Sequence, residues 1–129
     1  MSASAAFNDL SSTIIGSAIE VHRHLGPGLL ESAYLKCLVF EIRALGLTAE
    51  LNSPVPIVYK KVTIDCGYRL DLIVAQTVIV EVKSVSELSP IHHAQLLTYL
   101  RLTGLPLGLL LNFNVPVLKD GIKRMINTR

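Results

Sequence analysis

The segment Arg69–Lys83 constrains this chain more than any other. It reads Leu70-Asp71-Leu72-Ile73-Val74, a short polar break, then Val78-Ile79-Val80-Glu81-Val82-Lys83. Side chains alternate faces along a strand. One face of this hairpin would carry Leu70, Leu72, Val74, Val78, Val80 and Val82, all apolar. The other would carry Asp71, Ile73, Ile79, Glu81 and Lys83. Apolar residues on both faces predict strands inside a sheet covered on both sides. Charges in such a place are costly unless they are paired or hold a metal.

Register decides whether the charges meet. A three-residue loop Ala75-Gln76-Thr77 would set Val74 opposite Val78 and Asp71 opposite Glu81, with β-carbons about 5 Å apart. A two-residue turn would put the two carboxylates on opposite faces. Burial of the matching apolar sets favours the odd-length loop. Two carboxylates that close repel each other. A divalent cation removes the repulsion, and oxygen donors suit Mg²⁺ or Mn²⁺. Lys83 lies two residues beyond Glu81 on the same face, within reach of a water or phosphate held there. The competing reading is a salt-bridged trio without chemistry, since ion pairs inside folds exist but stabilise weakly.

The rest of the chain supplies layers for such a sheet. Leu10, Ile14, Ala18, Val21 and Leu25 recur at helical spacing over Asn8–Leu25, and Gly26-Pro27-Gly28 breaks the run. A second helix is expected over Leu29–Leu45, closed by Gly46. Ser53–Tyr59, with Pro54 and Pro56, reads as an irregular or edge strand, and Val62–Asp65 as a short one. Pro90 opens a helix that runs to Thr103 and is ended by Gly104. Leu107–Asn112 reads as a buried strand, and Lys119–Asn127 as a last short helix. The predicted order is α-α-β-β-β-β-α-β-α, an α/β fold in which helices flank a mixed β-sheet. No linker or repeat divides the 129 residues, so one domain spanning 1–129 is expected.

Composition narrows the function classes. Half the residues are apolar and 17% are charged, which excludes a disordered chain. The net charge of +2 is no broad basic footprint, so any polyanion site must be local. The longest stretch without charge, Leu102–Leu118, is broken by glycine and proline and is too short for a membrane helix. The apolar excess suggests self-association, a dimer first. Met1–Asn8 lacks a secretory pattern, so the expectation is a cytoplasmic protein with reduced Cys37 and Cys66, Cys37 packing in its helix. His22, His24, His92 and His93 match no zinc spacing, and neither phosphate-loop pattern is present. Glu31 and Tyr34 share one helix face, and Gln95 and Tyr99 share another. Taken singly, each of these four is as well explained by a solvated or core-edge side chain.

Together they complete a known pattern. Gly28-Leu29-Leu30-Glu31-Ser32-Ala33-Tyr34 resembles the motif that names the GxxExxY protein family of the PD-(D/E)XK nuclease superfamily, whose fold is restriction-endonuclease-like. The likeness continues through Tyr68-Arg69-Leu70-Asp71, Val80-Glu81-Val82-Lys83, Ala94–Leu100 and Leu109–Phe113, with a RecB-like order of site residues. It implies a divalent-metal-dependent nuclease, most readily of DNA. Asp71 and Glu81 would hold Mg²⁺ or Mn²⁺ with the carbonyl of Val82, and Glu31 would complete or orient the metal site. Lys83 would serve the attacking water. Gln95 and Tyr99 would orient the site or touch the nucleic-acid backbone, with Tyr34, Arg69 and His92 as further substrate contacts. Leu70 stands where the superfamily's name places proline. The alternative implied is a weakly catalytic module that binds nucleic acid or a partner on the same fold.

Overall fold

The computed structural model describes residues 3–128. Two helices, α1 (Ala3–Leu25) and α2 (Glu31–Ala44), open the chain. Five strands follow: β1 (Ala49–Pro54), β2 (Ile57–Tyr59), β3 (Val62–Ile64), β4 (Arg69–Val74) and β5 (Val78–Lys83). Helix α3 (Pro90–Thr103) leads to β6 (Leu107–Asn112), a single 3-10 turn (Leu118–Gly121) and β7 (Ile122–Ile126). The main sheet has the order β1-β4-β5-β6-β7, and β2 and β3 form a separate two-stranded ribbon. β5 and β6 run parallel, joined through α3, while the other pairs in the main sheet are antiparallel.

The sheet is covered on both faces, as the doubly apolar strands require. Ile14, Ala18 and Val21 of α1 and Tyr34, Leu38 and Ile42 of α2 pack against Leu72, Val80, Val82, Leu109 and Leu111. On the other face, Leu96, Tyr99 and Leu100 of α3 pack against Ile79 and Leu110. All six residues of β6 are buried. Gly108 lies close under Leu96 there: a Cβ would sit 3.0 Å from a Leu96 methyl, and the leucine side chain would have to give way. Gly104, with φ 73°, ends α3 in the left-handed conformation that glycine adopts without penalty. This α/β architecture, a mixed five-stranded sheet between helices, is the restriction-endonuclease-like fold expected from the sequence.

Several boundaries differ from expectation. The helix expected over Lys119–Asn127 is one 3-10 turn followed by β7, paired antiparallel with β6 from Leu107↔Ile126 to Leu111↔Ile122. Ile122, Met125 and Ile126 stand at three- and four-residue steps, a helical spacing that pairing with β6 overrides. The irregular strand Ser53–Tyr59 is two strands, and β1 begins earlier, at Ala49. That raises the strands before α3 from four to five. Cys37 does not pack inside; it and Cys66 are free and exposed. Among the described residues no helix is long and apolar enough to cross a membrane.

Candidate functional site

The β4–β5 connection is the three-residue loop 75–77. Val74 pairs with Val78, Ile73 with Ile79 and Leu72 with Val80. Continued one step, this register sets Asp71 across from Glu81. The backbone ladder stops there, and the side chains take over. Val82 N–H donates to Asp71 Oδ2 at 2.8 Å, and Asp71 N–H donates to Glu81 Oε1 at 3.3 Å. On the far side of β4 the ladder with β1 also skips this point. Leu51 pairs with Leu72 and Ser53 with Leu70, while Asn52 between them has φ 53°. Leu70 accordingly packs in the α3-side cluster, with Leu72 and Val74 in the other. The expected six-residue apolar face is therefore five residues long. The alternation breaks at Asp71 because the carboxylate, not a backbone carbonyl, meets β5.

Electrostatics follow from this placement. Glu81 is 5% exposed. Burial first, and then the Asp71 carboxylate beside it, push its pKa up to about 8, with Lys83 working in the opposite direction. Tyr99 projects from α3 toward the same spot. Its phenol is held above its usual pKa by burial first, then by the charges of Glu81, Tyr68 and Asp71, with the Gln95 side chain lowering it in part. Its ring meets Tyr68 edge-on at 6.2 Å. Asp71, Glu81, Lys83, Gln95 and Tyr99 thus lie around one edge of β4–β5. Hard carboxylate oxygens brought together where burial and mutual repulsion disfavour their charge are a donor set suited to Mg²⁺ or Mn²⁺.

Other expected residues stand elsewhere. Glu31 opens α2 and is exposed. Among the described residues no group of three or more His, Cys, Asp and Glu is gathered tightly enough to hold a metal, so Glu31 does not join Asp71 and Glu81. Tyr34, expected at the substrate, is fully buried and stacks on Phe113 at 4.5 Å. Its hydroxyl donates to Gly26 O at 2.6 Å and accepts from Leu29 N–H at 3.1 Å. It pins the α1–α2 turn, because a buried hydroxyl must be satisfied. Arg69 is exposed and lies 3.4 Å from Asp65. His92 caps α3, its Nδ1 accepting from Ser89 N–H at 3.1 Å.

Asn112 is the site residue that sequence reasoning missed. It pairs with Lys83 in the parallel ladder and is 2% exposed. Its Oδ1 accepts from Val85 N–H and Asn114 N–H, both at 3.1 Å, and its Nδ2 donates to Val85 O at 2.9 Å. This clamp fixes the chain just beyond Lys83. The available signal was a lone amide closing an otherwise apolar buried strand.

A two-sided mixed sheet that offers Asp from one strand and Glu-x-Lys from the next defines a nuclease-type α/β core. The family model of the PD-(D/E)XK nuclease superfamily matches residues 8–125, and the chain belongs to that superfamily. Membership carries the superfamily's general character with it: nuclease chemistry, nucleic acid as partner, and divalent metal as the usual helper. No curated protein and no solved structure matches this chain.

Proposed function

We propose that this chain is a divalent-metal-dependent nuclease that hydrolyses phosphodiester bonds, with DNA as its first substrate. The observation that supports this most is the interlock of Asp71 and Glu81. Two acids from neighbouring strands, Glu81 buried and Asp71 half-buried, meet side by side, and each accepts a backbone N–H at their junction. A salt-bridged trio explains this less well. Burial and Asp71 outweigh Lys83 in setting the Glu81 pKa, and no salt bridge joins Lys83 to either acid among the described residues.

Asp71 and Glu81, with the carbonyl of Val82, would hold Mg²⁺ or Mn²⁺. Such a cation, when bound, supplies Lewis acidity that favours ionised water and offsets phosphate charge. Lys83 would place its ammonium beside the attacking oxygen and complement the negative charge that develops on the phosphoryl oxygens. The Tyr99 hydroxyl stays protonated at neutral pH, because its pKa is raised, and donates to a phosphate oxygen. Gln95 orients that hydroxyl. The motif Gly28–Tyr34 supports placement in the GxxExxY branch with a RecB-like site, and residues 1–129 act as one domain in the cytoplasm.

A weakly catalytic binding module is the second reading. It is favoured by the position of Glu31, which leaves two carboxylates where three were expected. Purified protein incubated with linear duplex DNA, single-stranded DNA and RNA, with and without Mg²⁺ or Mn²⁺, separates the two. Metal-dependent cutting that Asp71→Asn and Glu81→Gln both abolish supports the enzyme. Cutting at wild-type rate by these variants sinks it, and metal-independent binding without cutting leaves the module.

A further inference from the structure

Between β1 and β4 the chain leaves the main sheet as the ribbon β2–β3, paired Ile57↔Ile64, Val58↔Thr63 and Tyr59↔Val62. A lone two-stranded ribbon has little stability of its own, yet this one projects with Val58, Tyr59 and Val62 each more than half exposed. Its tip is Lys60-Lys61, a two-residue loop with φ 48° and 69°. Tight hairpin loops with two left-handed residues strongly favour Asn-Gly or Asp-Gly. Lysine at both positions is a poor choice for the turn and a good one for presenting two ammonium groups. Neither lysine has a carboxylate partner among the described residues, and Lys60 Nζ sits 5.5 Å from the centre of the Tyr59 ring.

The root of the ribbon is tied to the candidate site. Val55 N–H donates to Tyr68 O at 3.0 Å, and the Tyr68 ring meets Tyr99, whose phenol feels Glu81 and Asp71. Asp65 Oδ1 accepts from Gly67 N–H at 2.9 Å and lies 3.4 Å from Arg69, closing the return into β4. Asp71 is the third residue of that strand. A two-stranded ribbon is of a size that enters the major groove of a duplex, and lysines grip phosphates as point charges.

We propose that the β2–β3 ribbon is a nucleic-acid-binding arm: Lys60 and Lys61 contact backbone phosphates of a duplex while its root delivers the strand to Asp71 and Glu81. This rests on the nuclease reading, and it assigns the grip that a net charge of +2 does not otherwise provide. The charge complementarity of an unpaired Lys-Lys tip and a polyanion selects this occupant over a second copy of the chain.

The test is the double variant Lys60→Asn/Lys61→Gly, which supplies the residues the turn prefers. Binding of fluorescein-labelled duplex DNA is measured with Mg²⁺ across a salt series, in an Asp71→Asn background that keeps the probe whole. Lys119→Gln/Lys123→Gln, at two exposed lysines elsewhere, serves as the control. The expected result is an unfolding temperature at or above the parent's, affinity lower by roughly tenfold, and a log–log salt slope shallower by about 2, near 0.9 for each phosphate that is no longer neutralised. Unchanged affinity and slope overturn the arm, as does an equal loss in the control. A parent dimer that the arm variant dissociates, seen by sedimentation, also overturns it and makes the ribbon a self-association element. Metal-dependent cleavage by the wild type is scored separately. If it persists while the arm variant binds normally, only the arm is lost; if the wild type neither binds nor cuts, the nuclease reading falls and the arm with it.

Discussion

Asp71 and Glu81 are joined through backbone as well as through charge: Asp71 N–H reaches Glu81 Oε1, while the Asp71 carboxylate takes the N–H of Val82, the residue after Glu81. Neither acid can move without disturbing the strand of the other. The sheet gives up ladder bonds at this point, on both edges of β4, and the two carboxylates fill the gap. A local departure from regular pairing at charged, half-buried residues is costly unless the site does something with it.

Conservative replacement of the three charged residues should separate chemistry from folding. Asp71→Asn, Glu81→Gln and Lys83→Met are expected to keep the circular-dichroism spectrum of the wild type. Each should lower phosphodiester cleavage by roughly 10²-fold or more, the usual effect of removing a group that stabilises developing charge. Equal rates in a timed gel assay would place the activity elsewhere.

The metal-free protein should lose stability as pH rises. Glu81 titrates near 8 when folded, against 4.5 for its ordinary value. The folded state therefore binds the extra proton between these limits, and stability falls as pH climbs through that window and levels off above it. The size is on the order of a few kcal/mol. Urea unfolding without metal should show this slope, and Glu81→Gln should flatten it. Added Mg²⁺ should stabilise more at the alkaline end, because a carboxylate must be ionised to bind it.

Tyr99 combines packing with a polar handle. Tyr99→Phe keeps the ring in the α3 cluster and removes only the hydroxyl, so stability should change by less than about 1 kcal/mol while turnover drops about tenfold. Tyr99→Ala should cost about 3–5 kcal/mol, as other buried aromatic truncations do. Thermal unfolding alongside a saturation-kinetics assay distinguishes the two effects.

Asn112→Ala strips three hydrogen bonds from the turn after Lys83. Leaving part-buried backbone groups unpaired should cost about 1–3 kcal/mol. Hydrogen exchange at Val85 and Asn114 should accelerate even under strongly native conditions. Cleavage should fall through a misplaced Lys83, and unchanged exchange would show that the clamp is dispensable.

Tyr34→Phe tests the correction to its expected role. Loss of the hydroxyl that bridges Gly26 and Leu29 should lower stability by about 1–2 kcal/mol and leave the affinity for a duplex probe unchanged. A specific loss of affinity without a stability change would return Tyr34 to the substrate.

Much of the site was legible in the chain itself. Short-range pattern was enough to place Asp71 and Glu81 opposite each other, because strand alternation and a three-residue loop fix register within one hairpin. The same local rules located α3, its glycine stop and β6. They did not reach Lys119–Asn127, where Ile122, Met125 and Ile126 stand at helical spacing and pairing with β6 decides the outcome. They also assigned Leu70 to the wrong face, because nothing in its own strand announces that Asn52 turns left-handed across from Asp71.

The sequence by itself determined the layers, the hairpin register and the charged residues that meet, since these follow from periodicity and from the cost of burying charge. The tertiary structure alone decided that Tyr34 is a buried strut, that Glu31 stands apart from the acid pair, and that Asn112 secures Lys83. Those outcomes depend on how helices and strands distant in sequence pack together, and packing is set by the whole fold's complementarity, which no local window contains.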